Sequence, residues 1–182
     1  MRQITLSLIL AASLQLAGCE KQTHTEMPPP FSLTAEAMGR YCGMNVLEHS
    51  GPKGQVILQQ IPEAIWFSSA RDAVAFTMLP DEPKEIAAIY VSDMGKAASW
   101  EKPGADNWID ARKAFFVIGS SLRGGMGSEE AVPFSEEAAA RQFVAKNGGE
   151  VVTFNDLPEG YILGAAEETA DDTLPEGAHD HG

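Results

Sequence analysis

The chain has 182 residues, 44% hydrophobic and 21% charged, with 26 acidic against 13 basic side chains and a formal net charge of −13. That is enough apolar mass for one medium domain or two small ones. The charge excludes a nucleic-acid partner, which requires a basic face, and it excludes polybasic attachment to a membrane.

The first feature in chain order is a leader. Met1 and Arg2 make a positive start, Ile4 to Leu16 is mostly apolar, and Leu16-Ala17-Gly18-Cys19 closes the segment with small residues before a cysteine. The apolar run is too short for a permanent membrane helix and has the form of a secretory signal peptide, residues 1–18. Its end resembles a bacterial lipobox, in which the Cys19 thiol takes a diacylglycerol and cleavage leaves Cys19 as the first residue. Such a chain is held to a membrane by lipid alone. Glu20 beside the anchor leaves both inner and outer membrane open. Residues 19–33 follow as a tether, polar from Lys21 and punctuated by Pro28-Pro29-Pro30.

With Cys19 lipidated, Cys42 has no partner left in the chain. A lone thiol in an oxidising compartment is buried, catalytic or held by a metal. Cys42 and Met44 stand at i and i+2, so on an extended strand both side chains would leave the same face. His49 lies a short loop further on, as a third donor or as an ordinary surface histidine. Thiolate and thioether donors favour Cu(I), whereas zinc usually takes several thiolates or imidazoles.

An internal repeat comes next. Phe67-Ser68-Ser69-Ala70-Arg71-Asp72-Ala73-Val74-Ala75-Phe76 and Phe134-Ser135-Glu136-Glu137-Ala138-Ala139-Ala140-Arg141-Gln142-Phe143 share an aromatic, a serine, an alanine-rich run and a second aromatic. Both predict helices, with Ser68 and Ser135 as N-caps and the preceding phenylalanines as staples. Apolar runs precede them at 55–60 and 113–118, and β-branched runs ending in aspartate follow at 85–93 and 150–156. The predicted fold class is α+β: two similar small ββαβ units packed together, residues 34–100 and 101–167.

Within the second unit, Gly124-Gly125-Met126-Gly127 sets a methionine between glycines, where no helical or strand face exists to bury it. Met78 and Met94 read as packing residues, but Met126 reads as a loop thioether able to close on an ion and release it. Its loop is expected to correspond to that of Cys42, so that packing of the two units sets them side by side. From Glu168 the chain is acidic and poor in large apolar side chains, which predicts a disordered tail, 168–182. His179-Asp180-His181 in that tail is a possible secondary chelate for copper capture, or simply part of a solubilising end.

Cys42-Gly43-Met44, His49-Ser50-Gly51-Pro52-Lys53-Gly54-Gln55, Ala75-Phe76-Thr77-Met78-Leu79-Pro80, Tyr90-Val91-Ser92-Asp93-Met94-Gly95, Val117-Ile118-Gly119-Ser120 and Gly125-Met126-Gly127 together resemble the NosL family, the accessory lipoprotein of bacterial nitrous oxide reductase. The resemblance runs from the lipobox to Phe154. It implies a Cu(I)-binding metallochaperone, not an enzyme, lipid-anchored and facing the periplasm, that supplies copper for the copper–sulfide centre of nitrous oxide reductase. It also implies partnership with the ABC-type membrane complex that assembles that centre. Residue by residue it carries Cu(I) ligation onto Cys42 and Met126 first, then Met44, with His49 as ligand or loop support. Gly124 departs from the pattern, which has a proline before the glycine–methionine pair. Two other readings use the same residues: a scaffold lipoprotein whose sulfurs are dispensable, and an enzyme with Cys42 as nucleophile and His49 as base. Helix 135–146 and the Trp100 and Trp108 region are candidate docking surfaces for partners.

Overall fold

The computed structural model describes residues 26–164, so Cys19 and its lipobox, and His179 and His181, lie outside the described residues. In chain order the elements are β1 Gly54–Leu58, β2 Ala64–Phe67, α1 Ala70–Met78, β3 Ile86–Ser92, β4 Trp108–Asp110, β5 Phe115–Ile118, β6 Val132–Phe134, α2 Glu137–Asn147, β7 Glu150–Thr153 and α3 Glu159–Leu163. They form a four-stranded sheet of order β2-β1-β3-β4 and a three-stranded sheet of order β6-β5-β7. Every pairing is antiparallel. The α+β reading with two ββαβ units holds: in each, the first strand is central and the helix leads into the third. The two elements that the sequence did not announce are β4, which extends the first sheet beyond β3, and the five-residue α3.

The core explains why the units stay together. Val56, Leu58, Ile89 and Val91 on one sheet face pack against Ala73, Val74 and Phe76 of α1, and Phe116 and Ile118 of β5 join the same cluster. Successive strand side chains point to opposite faces, so Val117 turns the other way, onto Val132, Phe134 and Ala140. Both faces of β5 are therefore covered, which is why its sequence, Phe-Phe-Val-Ile, is apolar throughout rather than alternating. Burying a side chain such as Phe76 or Phe116 contributes roughly 1.5–3 kcal/mol.

Two carboxylates clasp the units reciprocally. Asp93, just past β3, accepts from the Ser135 N–H at 3.1 Å and the Ser135 hydroxyl at 2.5 Å, at the start of α2. It also accepts from the Gly95 N–H at 3.0 Å and pairs with Lys96 at 3.0 Å. Burial opposes the charge on Asp93, but the bonds from Ser135, Lys96 and Gly95 outweigh it and hold its pKa below the ordinary value. In the other direction Glu130, just before β6, accepts from the Arg71 N–H at 2.9 Å and the Ser69 hydroxyl at 3.1 Å, at the start of α1. A carboxylate at a helix amino end satisfies orphan N–H groups and complements the dipole.

The helix starts differ from expectation by one residue. The N-cap of α1 is Ser69, whose side chain accepts from the Asp72 N–H, and α2 begins after Glu136, which makes no side-chain cap. Ser68 and Ser135, expected as caps, are thereby free for other partners. The proline segment also behaves differently from a free tether: the Tyr90 hydroxyl donates to the Pro28 carbonyl at 2.6 Å, and Gln55 exchanges two 2.9 Å bonds with the Phe31 backbone. The outer face of the first sheet carries Ile57, Ala88 and Tyr90, and residues 28–33 lie across it with Leu33 buried.

Candidate metal centre

Cys42 lies in a turn rather than on a strand. The Gly43 N–H donates to the Gly39 carbonyl and the Gly39 N–H to the Met44 carbonyl, both at 2.9 Å, with Gly43 at φ +65°. The chain therefore folds back within 39–44, and the shared strand face expected for Cys42 and Met44 does not form. Gly39 makes the turn possible: a Cβ there would fall 2.5 Å from the Cys42 Sγ. The thiol sits over the missing side chain.

Three groups surround that thiol. The Ser68 Oγ is 3.6 Å away, the His49 Nε2 4.0 Å and the Met44 carbonyl oxygen 3.9 Å. Ser68 arrives there because it follows β2 and precedes the true cap, so its hydroxyl is not spent on the helix. His49 is placed by the short 3-10 turn Val46–Glu48, whose N-cap Asn45 accepts from the Leu47 N–H. Tyr41, next to Cys42 in the chain, meets the Phe67 ring edge-on at 5.4 Å. Burial, and then the Glu82 carboxylate, push its phenol up.

Beneath the thiol lies Lys53, 1% exposed. Its Nζ donates to the carbonyls of His49 at 2.6 Å, Ser50 at 3.0 Å and Ser68 at 3.3 Å. Three donors of one ammonium thus tie the histidine loop to the end of β2. Burial lowers the Lys53 pKa to about 8, against the opposing pull of Glu130 and Cys42.

Met126 comes from the connection between β5 and β6. In the first unit the equivalent connection is the short turn after β1, whereas Cys42 precedes β1, so the two loops are not repeat equivalents as expected. The Met126 loop reaches the histidine loop because the second-unit connection is long. It closes on itself through the Gly127 N–H to the Gly124 carbonyl at 2.8 Å and an Arg123–Glu129 pair at 3.0 Å. Its tip then lies flat on the histidine loop: a Cβ on Gly125 would stand 2.5 Å from the His49 Cβ and 3.0 Å from the Ser50 nitrogen. The Met126 side chain, next along, is 53% exposed.

Glu130 anchors the base of that loop. Its Oε1 takes bonds from Ser69, Arg71 and Ala131, while Oε2 is buried with no partner. Burial drives its pKa up to about 7. Gly124, where the resemblance expects proline, has a local reason: a Cβ there would come within 2.9 Å of that bare oxygen.

The structure therefore brings Cys42 and His49 together and lays the Met126 loop against His49. Met44 contributes its carbonyl toward the thiol, and its thioether is 39% exposed. Sequence reasoning missed Lys53 and Glu130, and gave Ser68 a capping role. Trp100 stacks on Phe143 and donates to the Arg123 carbonyl, and Trp108 packs on Trp66 and donates to the Ala105 carbonyl. Both are thus engaged within the fold. Among the described residues no three His, Cys, Asp or Glu side chains cluster as a metal site.

Fold and site together define a class: a two-unit α+β domain presenting a thiol, an imidazole and thioethers on loops at one edge, a donor set suited to a soft ion. Residues 30–162 match the NosL family, and the chain belongs to it. It is 44% identical over 161 residues to the copper-binding lipoprotein NosL of Achromobacter cycloclastes, covering 88% of this chain and 83% of that one. To the protein of the same name from Stutzerimonas stutzeri it is 32% identical over 179 residues, covering 96% and 92%. The crystal structure of the copper chaperone NosL from Shewanella denitrificans superposes with a TM-score of 0.68 at 32% identity, over 73% of this chain and 99% of that one.

Proposed function

We propose that the chain carries Cu(I) on the Cys42 thiolate and the Met126 thioether, with Met44 and His49 as further donors. The reading extends to a lipid-anchored, periplasm-facing metallochaperone that supplies copper for the copper–sulfide centre of nitrous oxide reductase through its ABC-type membrane assembly complex. The observation that carries the metal-binding part is the contact of the Met126 loop with His49, whose Nε2 is 4.0 Å from the Cys42 sulfur. The names of the relatives support copper as the cargo. Few ligands, the two methionines among them exposed, leave a position open for an incoming donor, so the ion leaves by ligand exchange. Lys53 holds the site's backbone without offering a lone pair.

An enzymatic use of Cys42 lacks a third oriented group: the His49 ring has no partner besides the thiol among the described hydrogen bonds. The test is anaerobic Cu(I) titration of the mature chain against a competing chelator, with Cys42→Ala and Met126→Ala beside the wild type. Tight binding that collapses in both variants is expected. Binding that survives both changes would remove the ion from this site.

A further inference from the structure

Apart from Leu163 on α3, the exposed large apolar side chains among the described residues fall into two groups at opposite ends of the first sheet. β1 runs away from the thiol and β2 returns to it, so the turn between them is distal by the length of a five-residue strand, about 16 Å. Met38, Tyr41, Met44, Leu47 and Met126 rim the thiol end. Met27, 38% exposed, Phe31, 41%, and Ile61, 44%, belong to the distal end.

At that distal end Pro28, Pro30 and Phe31 face Leu58, Ile61 and Pro62 across a groove of about 590 Å³. Glu26 is the one charged residue among the twelve that line it, in a chain of net charge −13. Exposed Glu63, Lys84 and Glu85 stand beside the groove without lining it. The groove also lies where the described chain starts, seven residues after Cys19, and seven residues span at most about 25 Å. The bonds from Tyr90 and Gln55 to residues 28 and 31 fix the direction in which the chain enters the fold.

We propose that this groove and its apolar rim form the end of the domain that lies on the lipid bilayer, so that the thiol end faces away from the membrane. The inference rests on Cys19 carrying the lipid. The acyl chains of the anchor supply the attachment, and the groove supplies the orientation, with Met27, Phe31 and Ile61 in the boundary between headgroups and acyl chains. A donor site turned away from the membrane is open to proteins approaching from the aqueous side.

The test uses the full lipidated protein in phosphatidylethanolamine–phosphatidylcholine vesicles, with single tryptophans added as Ile61→Trp or Leu47→Trp. Bromine-bearing acyl chains quench nearby indoles, and the native tryptophans are a background common to both variants. At least about twofold greater loss of the added emission for Ile61→Trp than for Leu47→Trp is expected, from insertion about 5–10 Å deep. Adding Met27→Asp to Ile61→Trp should reduce that loss while vesicle co-sedimentation and the thermal midpoint stay unchanged. Equal quenching at both sites, or more at residue 47, with the protein still vesicle-bound, overturns the orientation and leaves the anchor standing. Failure to co-sediment overturns the anchor, and the orientation with it.

Discussion

Replacing Glu130 by glutamine should change how stability depends on pH. The carboxyl is fully buried, its pKa is raised from 4.5 to about 7, and one of its oxygens has no partner. A gap of about 2.5 units at 1.36 kcal/mol each corresponds to about 3 kcal/mol. The sign follows from proton binding. Below about pH 4.5 the acid is protonated folded and unfolded alike, and its full contribution to stability is present. As pH rises toward 7 the unfolded chain releases its proton first and stability declines, until above pH 7 the whole penalty applies. Glutamine retains an oxygen for the Arg71, Ala131 and Ser69 donors and never ionises. Urea unfolding of apo wild type and Glu130→Gln at pH 4.5 and pH 7.5 gives the comparison, and titrations that do not couple to Glu130 cancel in the difference; Lys53 and Asp72 do couple. The variant should gain about 3 kcal/mol on the wild type between the two pH values. A difference constant to within about 1 kcal/mol would refute the reasoning, because it would mean that the carboxyl ionises in the fold as readily as in water.

Gly39→Ala puts a methyl group 2.5 Å from the Cys42 sulfur and should lower Cu(I) affinity by roughly tenfold or more, read by chelator competition. Gly125→Ala should separate the Met126 and His49 loops with a loss of similar size, while Gly127→Ala, whose Cβ meets nothing within 4 Å, strains only its own φ of +79° and should leave affinity closer to wild type. Asp93→Ala removes the acceptor of Ser135, Gly95 and Lys96 and should cost about 3 kcal/mol in denaturant unfolding at neutral pH. Because the Asp93 pKa is lowered by folding, that cost should shrink as pH falls through its folded value. Ending the chain after Gly164 removes His179 and His181 and should leave Cu(I) affinity unchanged while reducing Cu(II) uptake, measured by equilibrium dialysis.

Much of the architecture was legible because it rests on local periodicity. The paired helices, and the strand before and after each, announce themselves through serine caps and β-branched runs, and the elements appear within a few residues of those positions. β4 was not legible: Trp108-Ile109-Asp110 is three residues long and is a strand only because β3 offers it an edge. The site divided in the same way. Cys42, Met126 and His49 stand out as soft donors on glycine-bearing loops. Lys53 stands between a proline and a glycine and reads as a surface lysine, since nothing local says that three carbonyls will converge on it. Glu130 is one of two adjacent glutamates, and only packing of the second unit on α1 decides which of the two is buried. Ser68 and Ser69 are equivalent by propensity, and the helix register alone settles which one caps and which one faces the thiol.

The reciprocal clasp has a consequence for biogenesis. During synthesis the amino-terminal half emerges first, with the amino end of α1 lacking the acceptor that Glu130 provides and with the places of Phe116 and Ile118 in the core still empty. Its repeat architecture notwithstanding, that half shares its main core with the half that follows. The Glu130 acceptor follows Ser92, the last residue of β3, by 38 residues (130 − 92). The amino end of α1 is completed only when the second half docks.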